Sequence, residues 1–232
     1  VANKYIEAGI IQTQRRMIVN AGRILPMYMY EGNLTTPSYR QRFGQGIIFV
    51  DYYLTMCEKG VTMPIVFTMG SGCEWCLLQG GKRMPIYHMG ALFNKNCKDK
   101  IILTSTFTTS DYMTDGNNKA ISGYSPVGCH AYTDSGHYRM VMFNRDFEKD
   151  YIVRLDLPDG LAFSNNAIIY RITSAGDFSS QDVVQTTTPI TNFKDSMLIT
   201  IPKYSMILIA FDGPVQNFGE QPIYNTKYQK IT

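Results

Sequence analysis

Apolar and polar positions follow two different rhythms along the chain. Up to about residue 99, helical spacing alternates with short continuous apolar runs. Residues 4–20 place Ile6, Ile10, Ile11, Met17 and Ile18 at roughly helical intervals, and Gly22 supplies a C-terminal stop. Residues 24–30 form an apolar run that ends abruptly on Glu31, Gly32 and Asn33, which reads as a buried strand bounded by a turn. Pro37 and Ser38 open a second helical pattern, in which Phe43, Ile47, Val50, Leu54 and Cys57 recur at steps of four and three until Gly60. Residues 61–69 are another apolar run, closed by Gly70, Ser71 and Gly72. Residues 85–96 predict a shorter helix with Ile86, Met89, Leu92 and Phe93 on one face.

Strands alternating with helices predict a parallel sheet with crossover helices. Two such strands and three helices cannot close a barrel, so residues 1–99 read as the last strand–helix units of a larger α/β domain. From about Lys100 the rhythm becomes period two. Residues 101–107, 139–143, 167–172, 197–201 and 205–211 read as strands. In residues 151–157, Tyr151, Val153, Leu155 and Leu157 alternate with Ile152, Arg154 and Asp156, as in a half-buried strand. Asn144-Arg145-Asp146 and Pro158-Asp159-Gly160 supply turns. Short strands with turn signals predict an antiparallel β-sandwich over residues 100–232, with the chain after Pro214 lying along the surface. No Gly/Pro-rich spacer separates the two parts near residue 99, so they are expected to pack tightly.

Composition narrows the function classes. The 232-residue chain carries a net charge of only +3, with Lys and Arg scattered, which argues against a nucleic-acid surface. Nothing reaches the length of apolar run that spans a bilayer. The chain starts at Val1 and enters at once into a helical pattern, which suggests a processed or truncated product. Its five cysteines, Cys57, Cys73, Cys76, Cys97 and Cys129, leave at least one thiol unpaired or paired between chains. Cys73-Glu74-Trp75-Cys76 has the spacing of a redox pair or half a zinc site. No second ligand pair lies at metal spacing, so a local disulfide or two buried thiols is the expectation, and no metal. The three histidines are far apart in sequence and have no evident carboxylate partner, so none is assigned a role. The methionines fall within apolar elements and read as core filler.

Glu31 is the position at which chemistry comes into view. A charge placed where a buried parallel strand stops is delivered to the C-terminal edge of the sheet, where barrel and open α/β enzymes work. As a lone feature it also fits the first solvated residue after a strand. The order of elements resembles the C-terminal portion of retaining glycoside hydrolases of the large (β/α)8-barrel clan, in particular the α-L-arabinofuranosidases and heparanase-like β-glucuronidases. PMYMYEGN looks like their seventh barrel strand, PSYRQRFGQGIIFVDYYLTMCEKG like the following helix, and VTMPIVFTMGSG like the eighth strand. MPIYHMGALFNKNCKDKIIL resembles the last helix leading into the sandwich, MVMFNRDFEKDYIVRLDLPDG a sandwich hairpin, and KYSMILIAF the closing sandwich strand.

That resemblance implies a fold of α/β plus all-β type, the end of a (β/α)8 barrel followed by an antiparallel β-sandwich. It implies that Glu31 is the catalytic nucleophile. The acid/base carboxylate of the clan ends the fourth strand, which would lie upstream of Val1, on a preceding segment or a partner chain. Trp75, just past the second apolar run, could stack on a sugar ring; Asn33 and Glu74 could bond sugar hydroxyls. Each also has a bland role, as a plug at the barrel mouth, a turn former and a solvated loop carboxylate. Carbohydrate is the expected ligand, with no cofactor, no nucleic acid and no membrane span. The upstream segment or a second copy is the expected partner, and the secretory pathway the expected compartment. The Asn33-Leu34-Thr35 sequon would fit a secreted protein, although a glycan there would obstruct the site. Two other readings compete: a non-catalytic extracellular structural or carbohydrate-binding protein, and a CxxC redox protein.

Overall fold

The computed structural model describes residues 17, 20, 22, 28–29, 42–58, 61, 63–64, 76–97, 100–102, 112–114, 120–122, 126–146, 148–157, 162–177 and 179–215. The first expected helix falls almost entirely outside them, and the segment after residue 215 wholly so.

The α/β portion opens with β1 (Tyr28–Met29), which pairs in parallel with β2 (Met63–Pro64) in the register Tyr28 to Met63. Between them runs α1 (Phe43–Glu58), of 16 residues. A parallel pair joined through a helix is the βαβ unit that the alternation of residues 24–69 predicts. A small antiparallel hairpin follows, β3 (Leu78–Gln79) and β4 (Lys82–Arg83), turned by Gly80 and Gly81, both at positive φ. Then comes α2 (Pro85–Asn96), with Pro85 at its first turn, where the missing N–H costs nothing.

The rest is antiparallel. β5 (Lys100–Ile102), β8 (Val127–Asp134), β9 (His137–Asn144), β11 (Ala167–Ser174), β12 (Val183–Ile190) and β14 (Ser205–Asp212) form a six-stranded sheet in the order β12-β11-β14-β9-β8-β5. β6 (Tyr112–Thr114) pairs with β7 (Ala120–Ser122), and β10 (Tyr151–Leu155) with β13 (Met197–Ile201).

The sheet is covered on both faces. Phe43, Ile47, Val50 and Leu54 of α1 and Met89 of α2 pack against Tyr132, Val141, Phe143, Ile172, Met206 and Leu208. The opposite face, with Val127, Met142, Ile169, Ile207, Ile209 and Phe211, packs against Leu155, Ile199 and Ile201 of the β10–β13 pair. β14 is therefore apolar at nearly every position, because a strand covered on both sides has no solvent face. β10 has one inward face only, and Ile152 points out at 70 % exposure, as its alternation predicts. The first of these cores joins residues from both sides of residue 99, the tight packing that a missing spacer implies.

One local reading is corrected. Residues 140–160 resemble a hairpin, but β9 pairs with β8 and β14, whereas β10 pairs with β13. The chain arches from one layer to the other at Asn144. That residue is fully buried, and its side-chain amide donates to the carbonyls of Lys149 and Ile201, while its oxygen accepts from the Asp146 N–H. The amide thus pins the arch to both layers.

Candidate functional site

Two places carry chemistry: the edge at which β1 and β2 end, and a buried cluster of charges between α1 and the sheet. Their relation follows from chain direction. From Glu58 the chain reaches β2 almost at once, with the Val61 N–H bonded to the Met56 carbonyl. The last turn of α1 therefore lies where β2 begins, and Phe43, about 22 Å away along the helix at 1.5 Å per residue, lies toward the edge where the two strands finish.

Of the residues that the sequence singles out, Glu31 follows β1 by two positions, Asn33 follows Glu31 by two, and Glu74 and Trp75 lie between β2 and β3 in the chain. All four lie outside the described residues. So does Cys73, whereas Cys76 is buried. Among the described residues no group of His, Cys, Asp and Glu is arranged to hold a metal ion. Cys57 and Cys97 are free thiols, and burial pushes them up to about 11 and about 12, the reverse of what a reactive cysteine needs.

The buried cluster was not evident in the sequence. Asp51 and Glu58 lie two helical turns apart on the face of α1 that also carries Ile47 and Leu54. His130 of β8 bridges them: Nδ1 stands 2.8 Å from Glu58 Oε1 and Nε2 3.0 Å from Asp51 Oδ1. Arg145, one residue past β9, donates from Nε at 2.7 Å and from Nη2 at 2.6 Å to Asp51 Oδ2. Asp51 and His130 are both buried, and the edge of the imidazole meets the Phe143 ring. Gly128 makes room for the guanidinium, because a Cβ there would run into Arg145.

Two carboxylates and two cations balance, which is what lets them stay buried. Burial disfavours the imidazolium, but hydrogen bonds and charge from Asp51 and Glu58 outweigh it and raise His130 to about 9. Burial likewise opposes ionisation of Asp51, but the Arg145 charge and the His130 hydrogen bond prevail and lower it to about 2. Each ring nitrogen of His130 faces a carboxylate, so the cluster presents no lone pair to a substrate or metal. It is a tie between α1 and the sheet, and through α1 it fixes where β1 and β2 end. His130 thus has the carboxylate partners that its sequence neighbourhood conceals. The other histidines also have polar partners, Gln185 for His88 and Asp212 for His137. The missed signal was two acids seven residues apart on an apolar helical face, since charges there need buried partners.

No protein-family model and no curated protein matches the sequence. Solved structures do match by fold. The GH51 α-L-arabinofuranosidase from Thermotoga petrophila RKU-1 aligns at a TM-score of 0.65 and 14 % identity, over 90 % of this chain and 49 % of its own. An α-L-arabinofuranosidase from Thermotoga maritima, in an arabinose complex, aligns at 0.62 and 13 % identity, over 91 % and 49 %. A GH30 endoxylanase from Clostridium papyrosolvens C71 aligns at 0.54 and 13 %, over 83 % and 43 %. The likeness is one of fold, and the chain spans about half the length of the arabinofuranosidases it matches.

Proposed function

We propose that this chain, which shares its fold with part of several glycoside hydrolases, is the C-terminal portion of a retaining glycosidase. In this reading residues 1–99 end a (β/α)8 barrel, residues 100–232 form the accompanying sandwich, and the protein works in the secretory pathway on polysaccharide or glycan side chains. The observation that carries it is the parallel β1–α1–β2 unit, whose first strand stops two residues before Glu31. Barrel enzymes gather catalytic groups at that edge of the sheet.

Glu31 is the nucleophile of this reading. Its carboxylate attacks the anomeric carbon and forms a glycosyl ester, while a second carboxyl group about 5–5.5 Å away protonates the leaving oxygen. That second group comes from a segment preceding Val1 or from a partner chain. The same residue, now ionised, takes a proton from water, and the hydroxide releases the sugar. Trp75 offers a ring face to the sugar, and Asn33 and Glu74 bond its hydroxyls.

The test uses the protein as its gene encodes it, including any residues before Val1, with aryl α-L-arabinofuranosides and other aryl glycosides as substrates. Turnover that falls by about 10⁴-fold in Glu31→Ala, a loss on the scale of removing an activated nucleophile, supports the reading. Turnover that Glu31→Ala leaves intact contradicts it. Absence of turnover on any glycoside, with retained polysaccharide binding, favours a non-catalytic carbohydrate-binding protein on the same fold.

A further inference from the structure

The loop between β11 and β12, residues 175–182, does more than turn the chain. The Ala175 N–H bonds to the Asp182 carbonyl and closes the loop at its base. Inside it, Asp177 Oδ1 accepts from both the backbone N–H and the hydroxyl of Ser179. So braced, the loop reaches across to the α/β portion. The Ser180 carbonyl accepts the Phe43 N–H at 2.8 Å, satisfying the first backbone donor of α1. Arg42 Nη1 donates to the Ser179 carbonyl at 2.9 Å, from 137 residues away in the chain. Lys82 Nζ of β4 meets Asp182 Oδ1 at 2.6 Å, and Gln185 of β12 bonds His88 of α2 at 2.9 Å.

These contacts converge on the Phe43 end of α1 and on the β3–β4 hairpin. The first faces the edge where β1 and β2 finish, and the second follows β2 from that edge. Lys82 and Asp182 are 49 % and 67 % exposed, and pairs so exposed stabilise by about 1 kcal/mol at most. Stability alone is a poor account of a braced loop that latches two separate elements.

We propose that residues 175–182 are a positioning element, which holds the start of α1 and the β3–β4 hairpin at one spacing and so sets the width of the sugar cleft beside Glu31. This rests on the glycosidase reading and adds to it: the antiparallel unit shapes the catalytic edge from outside the barrel. Asp182, Lys82 and Asp177 act through other residues and touch no substrate.

The experiment compares Asp182→Ala, Lys82→Met, their double variant and Asp177→Ala with wild type, on one aryl glycoside and one longer oligosaccharide. Expected is a fall in kcat/KM of about tenfold or more, since small misplacements near a reacting centre are costly. Expected too are a larger rise in KM for the oligosaccharide, no more than an additive loss in the double variant, and little change in melting temperature. Hydrogen exchange at the Phe43 amide should quicken in Asp177→Ala. Wild-type turnover with unchanged kinetics in all four variants overturns the latch alone. A fall in kcat/KM that merely follows the unfolded fraction overturns it as well. An inactive wild type overturns the glycosidase reading beneath it.

Discussion

His130 is held between two carboxylates, and its protonation is therefore bound up with folding. Its folded-state value of about 9 stands above the 6.5 of a free imidazole, so the stability it adds is fully present below pH 6.5 and is lost as pH rises through 9. Asp51 runs the other way: its value of about 2 stands below 3.8, so its contribution is present above pH 3.8 and is lost as pH falls through 2. Urea titrations should place the most stable range between about pH 4 and 6.5, with a decline on the alkaline side that His130→Gln removes. Asp51→Ala at pH 6 should cost about 3–5 kcal/mol, the cost of leaving a buried ionic partner uncompensated. Gly128→Ala should be damaging out of proportion to one methyl group, because the new Cβ displaces the Arg145 guanidinium. A loss of less than about 0.5 kcal/mol in its urea midpoint would show that Arg145 can bond Asp51 from elsewhere. None of this cluster is obvious in the chain by inspection, since His130 and Asp51 are 79 positions apart and meet only when α1 docks on β8.

The elements divide by how much of their environment is written locally. α2 was legible to the residue, because Pro85 marks its start and Ile86 and Met89 mark its buried face. β14 and β13 were legible too, one from an unbroken apolar run and the other from its bounds at 197–201. β8 was not, because Cys129, His130, Tyr132 and Thr133 break its apolar pattern with side chains that only tertiary contacts satisfy. β12 was missed for another reason: an edge strand exposed along most of its length, rich in Thr, has no inward face to impose alternation. At 140–160 the turn chemistry was readable, but a turn does not say which sheet receives the next strand. Packing between elements is also tight where the sequence is unremarkable. A Cβ on Gly46 would lie 2.9 Å from Met89 Sδ and 3.1 Å from the Ile86 backbone nitrogen. Gly46→Val should therefore push α2 away from α1 and lower stability by about 1–3 kcal/mol, as overpacking does. Leu208→Ala, deep in the central strand, should cost about 2–5 kcal/mol. Calorimetry on the two variants checks both.

For the whole molecule, the family likeness was carried by the order of elements more than by any one motif. A parallel unit followed by antiparallel strands, with no spacer, was enough to suggest a glycosidase fold, and the solved structures that share the fold are glycoside hydrolases. The residues expected to do chemistry, Glu31, Asn33, Glu74 and Trp75, are legible only as positions that follow strands, because a catalytic role depends on what stands opposite them. The account treats α1, its buried charge tie and its latch as a frame that presents Glu31 to a sugar. The most direct test is to trap the intermediate. The protein encoded by the gene is incubated with an activated 2-deoxy-2-fluoro glycoside, digested, and mapped by mass spectrometry. The account predicts one added glycosyl group on the peptide that carries Glu31, absent in Glu31→Gln. A label on another carboxylate, or turnover without any trapped ester, would contradict it.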